Sequence, residues 1–181
     1  MLPVSTDRLL LRAFAPSDAD DLFEYLSLAS TYAYEPGAPI DIAQARRLAS
    51  ERSKGLEFLA VELTSERKLI GHISLSVVEP KDFMTYELGY IFNPGYHNKG
   101  YATEAARAAL AFCFADLGAH RIAANCNPRN IASWRVLEHC GLTREAVLRK
   151  NVFFRRDDQD RPLWNDTYQY AILSSDVDIH R

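Results

Sequence analysis

The 181-residue chain has only three cysteines, Cys113, Cys126 and Cys140, widely spaced and with no CxxC among them. An odd, scattered set argues against a disulfide framework and fits a reduced, intracellular chain. His72, His120, His139 and His180 share no metal-ligand spacing, so no metal is expected. Glycine and proline, eight of each, are too few for a low-complexity or collagen-like segment. Long apolar runs are missing: the most apolar stretch, Ala105 to Ala115, is short and interrupted by Arg107, far from a membrane span. The opening MLPVSTDRLLLR lacks the apolar segment of a signal peptide. The expected compartment is the cytoplasm, with no membrane partner. No long basic run is present, and 21 basic against 24 acidic residues leave a net charge of −3. A nucleic-acid partner is therefore disfavoured.

What is present is an ordinary globular mixture, 48% hydrophobic and 25% charged, at a length expected to form one domain over residues 1–181. Leu9 to Arg12 reads as a first strand. Pro16 and Ser17 introduce a helix on which Ala19, Leu22, Phe23 and Leu26 share a face. Tyr32 to Pro39 reads as a loop. Asp41 and Gln44 form a capping box for a second helix, with Gly55 suited to end it.

Strands are expected over Glu57–Leu63, Leu69–Val78 and Met84–Phe92, then a helix over Gly100–Leu117 and a strand over Arg121–Cys126. A short helix follows from Asn130 to Cys140, stopped by Gly141. Two last strands run over about Thr143–Phe154 and Trp164–Leu173. The central strand–helix–strand needs a crossover and therefore a parallel pair. The expectation is an α+β domain: a mixed sheet of about seven strands with about four helices on its two faces.

The stretch Gly95-Tyr96-His97-Asn98-Lys99-Gly100-Tyr101-Ala102-Thr103 joins a strand to a helix start. Free amides and the positive end of the helix dipole attract anions there, and a glycine lets backbone approach a phosphate closely. Gly95-x4-Gly100 matches half of a P-loop, but the Lys-Ser/Thr pair is replaced by Tyr101-Ala102, which disfavours a magnesium triphosphate. No GxGxxG supports a dinucleotide. A phosphate cradle without the parts for phosphoryl or hydride transfer remains, beside the plain alternative of a helix-starting turn.

One strand later Asn130-Ile131-Ala132-Ser133 opens the next helix. Strand, Gly loop, helix, strand and Asn-x-x-Ser helix together resemble the GNAT superfamily of acyl-CoA-dependent N-acyltransferases. The loop His97-Asn98-Lys99-Gly100-Tyr101-Ala102 matches the superfamily's R/Q-x-x-G-x-G/A except at His97. Thr6-x-Arg8-Leu9-x-Leu11-Arg12, Gly89-Tyr90-Ile91-Phe92-Asn93-Pro94 and Leu137-Glu138-x-x-Gly141-Leu142 are similar to the branch containing ribosomal-protein N-terminal acetyltransferases. The resemblance runs from about Thr6 to Leu173.

It implies acetyl-CoA as co-substrate, entering between two diverging parallel strands. The backbone of Tyr90, Ile91 and Phe92 would hold the pantetheine, as a strand edge holds a peptide. The amides of Asn98, Lys99, Gly100, Tyr101, Ala102 and Thr103 would surround the pyrophosphate, and Asn130 would bond the pantetheine near the sulfur while also serving as an N-cap. A strand amide near Leu88 to Ile91 would polarise the thioester carbonyl. Some relatives protonate the leaving thiolate with a tyrosine seven residues after the Asn. Here that position is Leu137, and Ser133 is the substitute, against the alternative of a serine bonding its own helix.

On the strand, Met84, Tyr86, Leu88, Tyr90 and Phe92 alternate onto one face, read as core. Thr85, Glu87 and Gly89 take the other, where Glu87 could draw a proton from the amine through water or be an ordinary solvated acid. Glu35 is the next candidate base. Glu104 reads as a dipole partner and Cys140 as a small buried hydrophobe rather than a covalent acyl carrier. Trp164 and Asp166 could border the acceptor. The favoured activity is acetyl transfer to a primary amine, a protein N-terminus or a small molecule of the antibiotic or polyamine type. A non-catalytic acyl-CoA sensor on the same fold and a homodimer stay open.

Overall fold

A computed structural model describes residues 2–177; His180 lies outside them. The chain runs β1 (Val4–Ser5), β2 (Leu9–Ala13), α1 (Ala19–Leu26), α2 (Ile42–Arg52), β3 (Phe58–Leu63), β4 (Lys68–Val78), β5 (Thr85–Phe92), α3 (Tyr101–Ala115), β6 (Arg121–Cys126), α4 (Ile131–His139), β7 (Thr143–Arg156) and β8 (Pro162–Leu173). These strands form one sheet in the order β1-β2-β3-β4-β5-β6-β8-β7. β5 and β6 are parallel, and every other neighbouring pair is antiparallel. The sheet thus has eight strands rather than about seven. The extra one, β1, has two residues, too few to show a period of two in sequence.

Helices cover both faces. Leu22, Tyr25 and Leu26 of α1 and Ala49 of α2 pack with Phe14, Ala60 and Leu69. On the opposite face Ala105, Ala109, Phe112 and Cys113 of α3 and Leu137 of α4 pack against Leu9, Leu59, Val61, Ile73, Leu88 and Ile122. Each buried leucine or phenylalanine contributes roughly 1.5–3 kcal/mol by leaving water, so these two layers hold the sheet rigid.

Local signals place the helix ends. The Asp41 carboxylate accepts from the Gln44 amide at 2.7 Å and the Gln44 side chain accepts from the Asp41 amide at 2.8 Å, the reciprocal box expected. Gly141, at φ +89°, takes the left-handed turn that ends α4, and the Leu142 amide bonds back to the Leu137 carbonyl at 3.1 Å. Gly55 plays no such part: α2 ends at Arg52 with Ser53 as its right-handed cap. Met84 is also misplaced by the alternation. It stands before β5 in a left-handed turn, φ +47°, and is half exposed rather than in the core. Tyr86, Leu88, Tyr90 and Phe92 do belong to or pack against the α3/α4 core.

One departure from regular pairing matters most. β5 is bonded to β4 along its whole length, from Thr85 opposite Val78 to Phe92 opposite Gly71. β6 is bonded to β8 from Arg121 to Cys126. The two ladders share only three pairs, Thr85 with Arg121, Tyr86 with Ile122 and Glu87 with Ala123. Beyond Glu87 the strands part, each held by its other neighbour.

Candidate active site

The parting strands leave a cleft lined by Leu88, Gly89, Tyr90 and Ile91 of β5, Ala124 and Asn125 of β6, and Ser133 and Leu137 of α4. On the α1/α2 side its wall is completed by Glu35, Arg52 and His72. Its cavity volume is about 200 Å³, a narrow slot open to solvent at its mouth. Gly89 lies close to β4: a Cβ there would stand 2.5 Å from the Ser74 hydroxyl oxygen, which would have to turn away. An extended amide-bearing chain can enter beside β5 because that strand has no partner there beyond Glu87.

The loop below the cleft presents amides. Gly100 caps α3 with no side-chain bond, and among the described residues the amides of Asn98 to Thr103 donate to no protein acceptor. Six consecutive free donors at a helix start suit a pyrophosphate. Gly100 sits at φ +81°, a left-handed turn that favours glycine, and a Cβ there would point toward Arg8 Nη2 at 3.4 Å.

Sequence reading missed the clamp beneath this loop. The Glu104 carboxylate accepts from Thr6 Oγ1 at 2.5 Å, the Arg8 amide at 3.0 Å and Arg8 Nε at 2.7 Å. Arg8 Nη1 also donates to the Lys99 carbonyl at 3.0 Å. Burial works against the Glu104 anion, but bonds from Thr6 and Arg8 hold its pKa below the ordinary value. Glu104 is an anchor for the loop; the pattern Thr6-x-Arg8 was the available signal.

Asn130 caps α4, its side-chain oxygen accepting from the Ser133 amide at 3.2 Å, which leaves its NH2 donors uncommitted among the described residues. The Tyr90 hydroxyl donates to the Ser133 carbonyl at 2.9 Å and lies 3.1 Å from Ser133 Oγ. Burial pushes the Tyr90 phenol upward, so it stays protonated. Leu137 offers no hydroxyl, and the hydroxyl beside Ser133 comes from Tyr90 of β5. Cys140 donates weakly to the Thr103 carbonyl at 3.6 Å, and burial pushes its thiol up to about 11, unlike an activated nucleophile.

The two carboxylates are differently placed. Glu87 is exposed, accepts from the Asn125 side chain at 2.9 Å, and lines an adjoining recess with Tyr34, Asn125, Cys126 and Asp166. Glu35 borders both spaces, and burial alone pushes its pKa up to about 7. Its loop is held by the Tyr32 hydroxyl, which donates to the Leu26 carbonyl at 3.0 Å, and by Arg155 of β7, which donates to the Tyr32 carbonyl. Asp166 does border the recess; Trp164 instead packs edge-on to Phe153 at 5.2 Å and lines neither space. His72 accepts or donates one bond with the Tyr25 hydroxyl, at 2.7 Å; burial, then the charge of Arg52, keeps its ring neutral.

The family model of the Acetyltransferase (GNAT) domain matches residues 8–143. The chain belongs to the GNAT family. It is 38% identical over 176 residues to the uncharacterized N-acetyltransferase YnaD of Bacillus subtilis, covering 96% of this chain and 98% of that one. It is 31% identical to the probable N-acetyltransferase YjcK of the same organism, over 88% of this chain and 85% of the relative. The crystal structure of a GNAT-family acetyltransferase from Bacillus anthracis superimposes with a TM-score of 0.87 at 34% identity, over 96% of this chain and 99% of that one. This GNAT chain is accordingly an acetyl-CoA-dependent N-acetyltransferase. Among the described residues no helix is long and apolar enough to cross a membrane, and no group of three or more potential metal ligands occurs.

Proposed function

We propose that this GNAT enzyme acetylates a primary amine by direct attack in a ternary complex, with Glu35 taking the amine proton and the Tyr90–Ser133 pair serving the leaving thiolate. Acetyl-CoA supplies the activated acyl group; the remaining roles fall to side chains and backbone of the cleft. The free β5 edge from Leu88 to Phe92 receives the pantetheine, the amides of Asn98 to Thr103 receive the pyrophosphate, and the Asn130 NH2 group reaches the arm near its sulfur. A β5 amide between Leu88 and Ile91 polarises the thioester carbonyl.

The observation that carries this reading is the composition of one cleft: a half-buried carboxylate on one wall and a paired hydroxyl on the other, flanking an unpaired strand edge. A general base works best when its pKa lies near the working pH, which suits Glu35, at about 7. Glu87 orients Asn125 and adds negative charge to the recess through which an ammonium would arrive.

Free-CoA release measured across amines, N-terminal peptides and aminoglycosides tests the reading. Turnover with at least one class, abolished in the double variant Glu35→Gln/Glu87→Gln, is expected. Tight acetyl-CoA binding with no turnover of any amine would make the chain a sensor instead.

A further inference from the structure

Arg52 is an anomaly in the cleft. It ends α2 and lines the cavity that holds Glu35, Gly89, Tyr90 and Ser133. Its guanidinium lies against two aromatic faces, 4.1 Å from the centre of Phe58 and 5.4 Å from that of Phe14. Among the described residues no carboxylate pairs with it, and its Nη1 is buried without a hydrogen-bond partner. The neighbouring polar rings are Tyr25 and Tyr32, both neutral, and His72, whose ring the Arg52 charge helps to keep unprotonated. Other arginines near the sheet are matched: Arg8 with Glu104, Arg12 with Asp18 and Glu62, Arg121 with Glu145.

A guanidinium remains charged in any protein setting, and a half-buried charge without a counter-ion is a standing cost. Stacking on phenylalanines recovers part of it but supplies no acceptor for its N–H groups. An oxyanion entering the cavity would supply them, in the planar fork geometry that guanidinium favours. Glu35, on the same cavity wall set, also lacks an ion pair among the described residues. A cavity with one unpaired cation and one unpaired acid complements a molecule carrying an amine and a carboxylate.

We infer that Arg52 anchors a carboxylate on the acceptor, so that the substrates are small amino acids: molecules in which a free carboxylate accompanies the amine presented to Glu35. This deepens the acetyltransferase reading and rests on it. The same cation selects against polyamines, which would bring only positive charge to this wall.

The test compares acetyl-CoA-dependent CoA release with α-amino acids, ω-amino acids of increasing length, their carboxamides and the matching alkylamines. The wild-type enzyme should favour a carboxylate-bearing acceptor over its amide by about 10- to 100-fold in kcat/KM, the value of a charge-assisted bond. Arg52→Met removes the cation and should abolish that preference by raising KM for the acid far more than for its amide, with acetyl-CoA binding followed in parallel by thermal shift. Arg52→Lys should restore part of it. Equal use of acids and amides by the wild type, or equal losses on both in Arg52→Met, overturns the inference and leaves acetyl transfer standing. No turnover of any amine, with acetyl-CoA bound, overturns the transfer reading itself.

Discussion

The Tyr90 hydroxyl and the Ser133 hydroxyl lie 3.1 Å apart, although 43 residues separate them in sequence. The contact ties the free part of β5 to the first turn of α4 and brings a protonated phenol to the wall of the cleft. A helix alone could offer only Ser133; strand and helix together place two hydroxyls on one wall, the pair proposed to serve the departing thiolate.

Tyr90→Phe should therefore lower kcat and also cost about 1 kcal/mol of stability, since a partly buried hydrogen bond is lost. Ser133→Ala should lower kcat with a smaller effect on melting temperature, because the phenol still reaches the Ser133 carbonyl. Neither loss should recover at high pH. Steady-state CoA release from pH 6 to 10, with thermal melts, checks this; native kcat in both variants would remove the pair from the mechanism.

Glu35→Gln should reduce kcat by about 10²- to 10⁴-fold near neutral pH. The deficit should shrink as pH rises and the free amine becomes abundant. Glu87→Gln retains an oxygen for Asn125 and should lose much less. Should the two variants exchange these behaviours, Glu87 is the base.

The same burial makes a stability prediction. A carboxyl whose pKa rises from the ordinary 4.5 to about 7 on folding binds more protons folded than unfolded between those values. Stability attributable to Glu35 therefore falls as pH climbs from about 4.5 to about 7, and the deficit persists above. Glu35→Gln should raise the melting temperature at pH 8 and leave it little changed at pH 4. An identical difference at both pH values would show that Glu35 is not desolvated in solution.

Asn130→Asp keeps the cap, since both residues accept from the Ser133 amide equally well. It removes the NH2 donors and adds a charge. Melting temperature should stay near that of the wild type while acetyl-CoA affinity falls; calorimetric titration separates the two, and a loss of stability alone would make Asn130 purely structural.

Ala102→Pro deletes one amide from the first turn of α3, where a helix needs no internal bond from it. The KM for acetyl-CoA should rise with little change in kcat. An unaltered KM in a folded variant would place the pyrophosphate elsewhere.

The loop, the caps and the helix order were legible in the sequence because each depends on neighbours within four positions. Asp41 and Gln44 cap each other three residues apart, Asn130 accepts from Ser133, and Gly100 opens α3 whatever the rest of the chain does. Alternation also sorted β5 correctly from Thr85 onward, failing only at Met84, where a left-handed turn breaks the period. Tertiary structure decided the rest. The partial burial of Glu35 comes from β7 and α1 holding its loop, the reach of Tyr90 to Ser133 from α4 lying over β5, and the isolation of Arg52 from the lack, among the described residues, of a carboxylate that reaches its guanidinium. Desolvation and charge pairing depend on which distant segments meet, and it was the divergence of β5 from β6, each tied to its other neighbour, that opened a cleft between them.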